Sequence, residues 1–215
     1  MATNYSPKLP YAQDLLDVID ASNTKHTSGS GNIISGVREV SWSREETVTD
    51  TVEDGIPAFN MDSGYLETGA SGLFGQYYTI FYLWKPRTSD SGWRTLHRNN
   101  NDHIAIIQDG TKNLGMYSNR NGGFRDSGYN ISIEWQTLIA TGIGDGSSSS
   151  TGVTTYYVNG VNVGTSDRVG CGTDLFRIGW PSQGPGKIGV AGSYNRLLNN
   201  VEIQQLHNTL SSRIS

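Results

Sequence analysis

The sequence contains a single cysteine, Cys171, among 215 residues, so the chain cannot form an internal disulfide. Charged residues make up only 17% of the sequence, and no apolar stretch is long enough to span a membrane. The formal net charge is −4, whereas a nucleic-acid-binding surface requires clustered Lys and Arg. The first 13 residues contain no apolar segment, so we expect no signal peptide. These absences argue against a disulfide scaffold, a nucleic-acid partner and membrane insertion.

Glycine is abundant instead, with 27 residues, and short apolar stretches alternate with turns rich in Asn, Asp and Gly. Their spacing of roughly eight to twelve residues is typical of an antiparallel β-sandwich. QYYTIFYLWK (76–85) is apolar on both faces and predicts a central strand that is covered on both sides. In TTYYVNGVNVGT (154–165), Asn159-Gly160 predicts a two-residue hairpin turn. We also expect PAFNM and GYLETG to form a short pair around the turn at 62–64, and YNISIEW (129–135) to form a strand.

The N-terminal segment differs from the remainder in its prolines. Pro7 and Pro10 disfavour a helix and favour extended backbone. We therefore predict an extended arm over residues 1–13 and one β-sandwich domain over 14–215. Such an arm could reach a neighbouring subunit of a homo-oligomer by extended pairing. The candidate assembly residues are Tyr5, Pro7, Pro10 and Tyr11.

A helix is predicted near the end of the chain. Asn199 is a suitable N-cap, and Glu202, three residues later, completes a capping box. Leu198 and Ile203 stand at the positions of a hydrophobic staple. The residues of the expected apolar stripe are Val201, Ile203, Leu206 and Leu210. This short C-terminal α-helix should lie across an edge or an end of the sandwich.

The closing segments YYVNGVNVGT, FRIGW and GKIGVAGSYNRLLNNVEIQQL resemble the end of concanavalin A-like, laminin-G-type jelly-roll domains. In those domains a hairpin and a later strand run through a Tyr-Asn-Arg motif into a short capped helix. The opening DLLDVIDASNTKHTSGSGN is similar to one found in members of this group, many of which come from tailed phages. The resemblance implies an all-β, antiparallel jelly-roll β-sandwich with a short C-terminal α-helix. It also implies a virion protein, such as a capsid decoration, fibre or tail-associated protein, with a capsid shell or tail as its partner.

Catalytic patterns are weak. Glycoside hydrolases on this fold place paired carboxylates at alternate positions of one strand, and no stretch of the sequence has that pattern. Polysaccharide lyases of similar shape use Arg, His, Gln and Tyr on neighbouring strands. The residues that could be considered for such a site are His97, Arg98, His103, Gln108 and Tyr194. Their spacings differ from those of the lyases, so we expect a protein that is not an enzyme.

Two segments are candidate binding loops, RNNND (98–102) and SNRNGGFRD (118–126), because Asn side chains both donate to and accept from sugar hydroxyls. Aromatic residues beside such turns should be partly exposed, whereas Phe81, Trp84 and Trp135 lie in strong strands and should be buried. The candidate ligand-binding residues are Trp93, Asn101, Asp102, Tyr117, Asn119, Arg120, Asn121, Phe124 and Trp180. Each pattern is also typical of ordinary turns.

The sequence implies no cofactor, although calcium is possible because laminin-G-type domains often bind it through loop carboxylates. The loop aspartates that could serve are Asp102, Asp109, Asp126 and Asp145. Three hypotheses follow from the sequence. The first is a non-catalytic virion protein, located in the particle, that could recognise a cell-surface glycan. The second is a free-standing lectin-like protein that binds carbohydrate, and the third is a polysaccharide lyase or glycoside hydrolase with an atypical site.

Overall fold

The computed structural model of the chain describes residues 9–10, 14–22, 33–34, 41–45, 47–68, 77–88, 91–99, 102–119, 123–143, 152–167 and 177–214. In chain order the strands are β1 (Leu15–Asp20), β2 (Ile33–Ile34), β3 (Ser41–Arg44), β4 (Thr49–Glu53), β5 (Ile56–Met61), β6 (Tyr65–Thr68), β7 (Tyr77–Pro86), β8 (Arg94–Arg98), β9 (Asp102–Ile107), β10 (Asn113–Ser118), β11 (Phe124–Asn130), β12 (Gln136–Ile143), β13 (Val153–Val158), β14 (Val161–Asp167), β15 (Arg177–Gly179) and β16 (Gly186–Tyr194). Helix α1 (Asn200–Ser211) follows the last strand. None of the described helices has the length and apolar character needed to cross a membrane.

The strands form two sheets. The first sheet has the order β14-β13-β12-β7-β16-β5-β4, and β1 pairs with β16 beside β5. The second sheet has the order β11-β10-β9-β8-β15-β6-β3-β2. The ladders within both sheets are antiparallel, so the predicted antiparallel β-sandwich with a short C-terminal helix is confirmed.

Strand β7 lies in the interior of the first sheet, between β12 and β16, as its sequence predicts. Alternate residues of β7 enter two different hydrophobic clusters. Tyr82 and Trp84 face the second sheet and join the main core, whereas Phe81 and Leu83 point the other way. A strand that is apolar on both faces therefore belongs to a sheet that is covered on both faces.

Helix α1 covers the outer face of the first sheet. Leu206 and Leu210 pack with Phe81 and Leu83 in the second cluster. The predicted capping box is present, because the Asn199 side chain accepts from the backbone N–H groups of Val201 and Glu202. The Glu202 carboxylate in turn accepts from the backbone N–H of Asn199.

The predicted apolar stripe of α1 is wrong at one position. Leu198 and Ile203 are both buried, which confirms the staple, but Val201 is 66% exposed. The buried position in the first turn is instead Glu202, whose carboxylate pairs with Arg196 at 2.8 and 2.9 Å. The ion pair and the cap satisfy the carboxylate there, so Glu202, which was predicted as a capping residue, is buried in the first turn where Val201 was expected to be.

The predicted pairing of PAFNM with GYLETG is also wrong. Strand β5 belongs to the first sheet, where it pairs with β4 and β16. Strand β6 belongs to the second sheet, where it pairs with β3 and β15. Because β5 already has a neighbour on each side, the intervening turn carries the chain from one sheet to the other.

The expected strand YNISIEW ends early, since β11 stops at Asn130. Ile131 is buried in the core between the sheets, whereas Trp135 is buried in the cluster beneath α1. The segment between β11 and β12 therefore crosses from the second sheet to the first. Ile131 and Trp135 anchor its two ends, and Ile133 between them is exposed.

The β13–β14 hairpin is confirmed, with Asn159 and Gly160 at φ angles of 50° and 77°. Strand β14 then packs edge-on against β11 of the other sheet. The Ser166 hydroxyl donates to the backbone carbonyl of Arg125 at 2.7 Å. Gly164 lies so close to the backbone of Ser127 that a Cβ atom would clash with its carbonyl oxygen. We call this contact the β11–β14 seam.

Candidate functional site

One residue from each of seven neighbouring strands of the second sheet lies in a single line across its outer face. Consecutive members are direct cross-strand partners. Their neighbours along the strands, such as Ile104 and Ile178, are buried in the core, so the line faces away from the first sheet. We call this line the transverse row. It consists of Phe124, Tyr117, His103, Arg98, Arg177, Glu67 and Ser43.

The β11 end of the transverse row is aromatic. Trp93, which precedes β8, contacts the rings of Tyr117 and Phe124 with centroids 5.3 and 5.6 Å apart, in edge-to-face geometry. Gly115 leaves room for this packing, because a Cβ atom there would lie 2.7 Å from the Phe124 ring. The three aromatic side chains are half-buried, so they present apolar area to solvent.

A cavity of about 210 Å³ opens beside these rings. Its described lining combines apolar and polar groups, namely Trp93, His103, Ile106, Tyr117, Asn119 and Gln183. Convergent polar groups in a small-ligand site fix the orientation of the ligand, and this cavity combines such groups with aromatic side chains.

A hydrogen-bond chain fixes the polar groups at the base of the cavity. The guanidinium of Arg98 can only donate, so at 3.2 Å from His103 Nε2 it requires a lone pair on that nitrogen. His103 Nδ1 then carries the proton and donates to the Thr95 hydroxyl at 2.8 Å. The Thr95 hydroxyl donates onward to Gln183 Oε1 at 2.9 Å. The amide N–H groups of Gln183 remain the donor end of the chain.

The environment of His103 keeps its imidazole neutral. Burial lowers the pKa of His103 to about 3, and the nearby positive charge of Arg98 acts in the same direction. His103 is therefore uncharged at neutral pH, and both ring nitrogens already have hydrogen-bond partners. Its role here is to orient neighbouring groups.

The centre of the transverse row is cationic. Arg98 and Arg177 are direct partners across β8 and β15, and both guanidinium groups lie against Trp180, at 3.4 and 4.6 Å from its ring. Arg177 also forms an ion pair with Glu67 through Nη2. Burial and the charge of Arg177 both lower the pKa of Arg98. Two like charges held side by side are unfavourable, and the Trp180 ring offsets part of that cost.

The structure brings together five of the predicted ligand-binding residues, namely Trp93, Tyr117, Asn119, Phe124 and Trp180. Asp102 does not join them, because it is 2% exposed and, as the strand neighbour of His103, faces the opposite side of the sheet. Asn101, Arg120 and Asn121 lie outside the described residues. Phe124 begins strand β11, so the second predicted loop ends earlier than expected.

Sequence reasoning missed Thr95, Arg177 and Gln183, it considered His103 only for lyase chemistry, and it placed Arg98 in a candidate binding loop without naming it as a ligand-binding residue. These residues meet through strand register and through loops that are distant in sequence. Of the residues that were considered for a lyase, Arg98 and His103 meet, whereas His97 and Tyr194 lie apart from them. His97 faces the core and bonds to Tyr82, and Tyr194 is buried in the other sheet.

Among the predicted assembly residues, Pro10 is described and is bound within its own chain. Its carbonyl accepts a 2.8 Å hydrogen bond from the Tyr194 hydroxyl, and Leu9 is buried beside it. The end of the predicted arm thus packs on the sandwich. Tyr5, Pro7 and Tyr11 lie outside the described residues.

Two of the candidate calcium ligands are engaged within the protein. Asp109 accepts from the backbone N–H of Gly92, and Asp126 accepts from Asn113 and from the backbone N–H of Gly128. Asp145 lies outside the described residues. Within the described part of the chain, no three His, Cys, Asp or Glu side chains form a group that could hold a metal ion. Calcium binding stays a prediction.

Neither a family model nor a curated protein sequence matches the chain. Solved structures do share its fold. A sialidase from Trypanosoma rangeli, in complex with a difluorosialic acid, aligns with 98% of this chain at 16% identity and a TM-score of 0.64. This chain spans 35% of the length of that sialidase.

Domain 4 of an extracellular arabinanase from Geobacillus stearothermophilus, in complex with arabinotriose, aligns over 90% of this chain and 98% of its own length. The identity is 15% and the TM-score 0.63. The binding domain of Paraclostridial mosquitocidal protein 1 aligns over 92% of this chain and 52% of its own, at 16% identity and a TM-score of 0.62. At these identities the likeness is one of fold, and it agrees with the sandwich expected from the sequence resemblance.

Proposed function

We propose that this protein is a non-catalytic carbohydrate-binding module whose binding site is the outer face of the second sheet. The observation that carries the proposal is the aromatic end of the transverse row. Trp93, Tyr117 and Phe124 are half-buried there, beside a cavity lined by amide and hydroxyl groups. The C–H face of a sugar ring packs on an exposed aromatic side chain, and its hydroxyls need partners that both donate and accept.

The hydrogen-bond chain through His103 supports a binding role. Side chains that are already held in place lose little conformational freedom when a ligand binds, so pre-organisation favours affinity. Asn119 and Gln183 offer amide groups at the cavity, and Tyr117 offers a hydroxyl. The arabinanase domain, which matches this chain almost end to end, was solved with an oligosaccharide, and that precedent agrees with a sugar ligand.

The absence of catalysis is part of the proposal. Glycoside hydrolysis requires two carboxyl groups that flank the scissile bond, and the described residues that line the cavity include none. A general base must have a nitrogen or oxygen available for the substrate proton. His103 uses both nitrogens within the protein, and its low pKa makes it a weak base.

Substitution of Trp93 by Ala tests the site. We expect about 10-fold weaker glycan binding, because the loss of one stacking surface costs roughly 1.4 kcal/mol. A glycan array would first identify a ligand for the unmodified protein, and isothermal titration calorimetry would then compare the variants.

Tyr77→Ala is the matched control, because Tyr77 is an exposed aromatic residue on the other sheet. It should bind within twofold of the unmodified protein. Equal affinity of the Trp93→Ala variant and the control would place the ligand elsewhere. No binding to any glycan on a broad array would contradict the proposed function.

A more specific proposal is that the protein is part of a virion, and it depends on the sequence resemblance to tailed-phage proteins. In that setting the module would decorate a capsid, fibre or tail as a homo-oligomer and present the transverse row outward. Mass spectrometry of purified particles of a phage that encodes the chain would detect it if it is a virion component. Its absence from those particles would leave the free-standing lectin-like protein as the better description.

A further inference from the structure

We infer that the ligand is an acidic glycan, bound as an oligomer across the strands, with a carboxylate or sulfate group over Arg98 and Arg177. The inference depends on the proposed function and adds the ligand's charge, length and direction. It follows from the order of side chains in the transverse row, which is aromatic at the β11 end, cationic in the centre and acidic beyond it.

The length of the transverse row indicates the minimum length of the ligand. Tyr117 lies on β10 and Arg177 on β15, and two strands separate β10 from β15 in the sheet. Neighbouring strands are about 4.8 Å apart, so these two row positions are roughly 14 Å apart. A single sugar ring cannot reach both, whereas a linear oligosaccharide that runs perpendicular to the strands can.

The pair Arg98 and Arg177 indicates that the ligand is negatively charged. Arg98 and Arg177 are held side by side against one ring, and an anion placed over both would remove their mutual repulsion. Glu67 pairs with Arg177 through Nη2. A guanidinium group carries five N–H donors, so Arg177 can serve a second acceptor besides Glu67.

The contact with Trp180 favours recognition of an anionic group of specific geometry, rather than non-specific attraction of negative charge. A guanidinium group that is held against an aromatic ring is restricted in orientation, and its planar donor fork matches carboxylate and sulfate oxygens. Trp180 is also 6.4 Å from the His103 ring, which contacts Tyr117 in turn. The cationic centre and the aromatic end are thus held in one packed unit.

The test uses the full chain and four probes, with binding measured by calorimetry. The probes are oligogalacturonate, the same oligosaccharide after reduction of its carboxyl groups, a sulfated neutral oligosaccharide and poly-L-glutamate. We expect at least one acidic glycan to bind about 10-fold more tightly than the carboxyl-reduced one, as for hydrogen bonds to a charged group. Comparison of the uronate and the sulfate identifies the anionic group.

Three variants locate the effect. Arg177→Gln should remove the 10-fold preference for the acidic glycan over the carboxyl-reduced one. Glu67→Gln should strengthen acidic binding, because it removes a competing carboxylate, and a merely damaged sheet would not give this gain. Arg125→Gln is the charge-matched control, since Arg125 follows Phe124 in the strand and pairs with Asp167 near the seam. It should keep the preference.

Equal affinity for the acidic and carboxyl-reduced glycans would overturn this inference and leave the proposed function standing. Binding of poly-L-glutamate as tight as that of the acidic glycan would also overturn it, because charge alone would then suffice. Failure of every oligosaccharide, including the hits of a broad array, would overturn the inference together with the proposed function.

Discussion

Lowering the pH from 7 to 5 is expected to reduce the free energy of unfolding by about 4 kcal/mol. His97 and His103 are responsible, because burial lowers the pKa of each to about 3. Below pH 6.5 these side chains take up protons in the unfolded chain but stay neutral in the folded one. Stability is therefore fully present above pH 6.5 and falls as the pH drops towards 3. Each histidine contributes about 1.4 kcal/mol per pH unit, or roughly 2 kcal/mol between pH 6.5 and 5.

Urea unfolding at half-unit pH steps measures this loss. The window above pH 5 isolates the histidines, because carboxyl groups such as Glu202, whose pKa is lowered chiefly by its hydrogen bond to Arg196, stay ionised there. His207 also has a pKa lowered by burial and adds in the same direction. The variant His97→Gln should keep somewhat more than half of the pH slope of the unmodified protein, because His103 and His207 remain. A flat profile between pH 7 and 5 would mean that the two imidazoles are accessible to protons in the folded state.

Replacement of Glu202 by Ala is expected to destabilise the protein by about 3 kcal/mol. The carboxylate of Glu202 accepts three hydrogen bonds, one from the Asn199 backbone and two from Arg196. Arg196 also pairs with Asp14 at 2.7 Å, so one cluster joins the start of the domain to the helix that ends it. Loss of the carboxylate removes half of the capping box and leaves a half-buried guanidinium with one partner fewer.

Thermal and urea unfolding would compare three variants. Glu134→Ala, at an exposed position, is the control and should change stability by less than about 0.5 kcal/mol. Glu202→Gln can still accept from the Asn199 backbone but loses the charge, so its cost should fall between the other two. If Glu202→Ala and Glu134→Ala proved equal, the packing of Leu206 and Leu210 would be sufficient to hold the helix.

Features that depend on residues close together in the sequence could be predicted from it. The Asn199–Glu202 capping box and the Asn159-Gly160 turn depend on residues within a few positions of one another, and both are present. Strand β7 was identifiable because ten successive residues suit a sheet that is covered on both faces. The aromatic residues next to turns are half-buried, as their positions suggested.

The rest depends on which strands meet. Nothing in the local pattern distinguishes a hairpin from a change of sheet, so the separation of β5 from β6 was missed. The transverse row joins Arg98 to Arg177 through one registered pair of short strands. A shift of that register by one residue would turn Arg177 to the other face. Sequence patterns therefore could not predict the cationic centre of the site, whereas they did predict the aromatic residues at its end.

Because of the β11–β14 seam, the two sides of the molecule differ in whether their sheet edges can pair with a strand of another chain. An exposed strand edge can recruit a strand from another molecule, and such recruitment leads to polymers. On the seam side each sheet edge is shielded by the other, through contacts such as Ser166 to Arg125. At the far edge of the first sheet, β4 carries Asp50 and Glu53 among mostly exposed residues. Within the described part of the chain, assembly by strand addition would thus be confined to the side away from the seam.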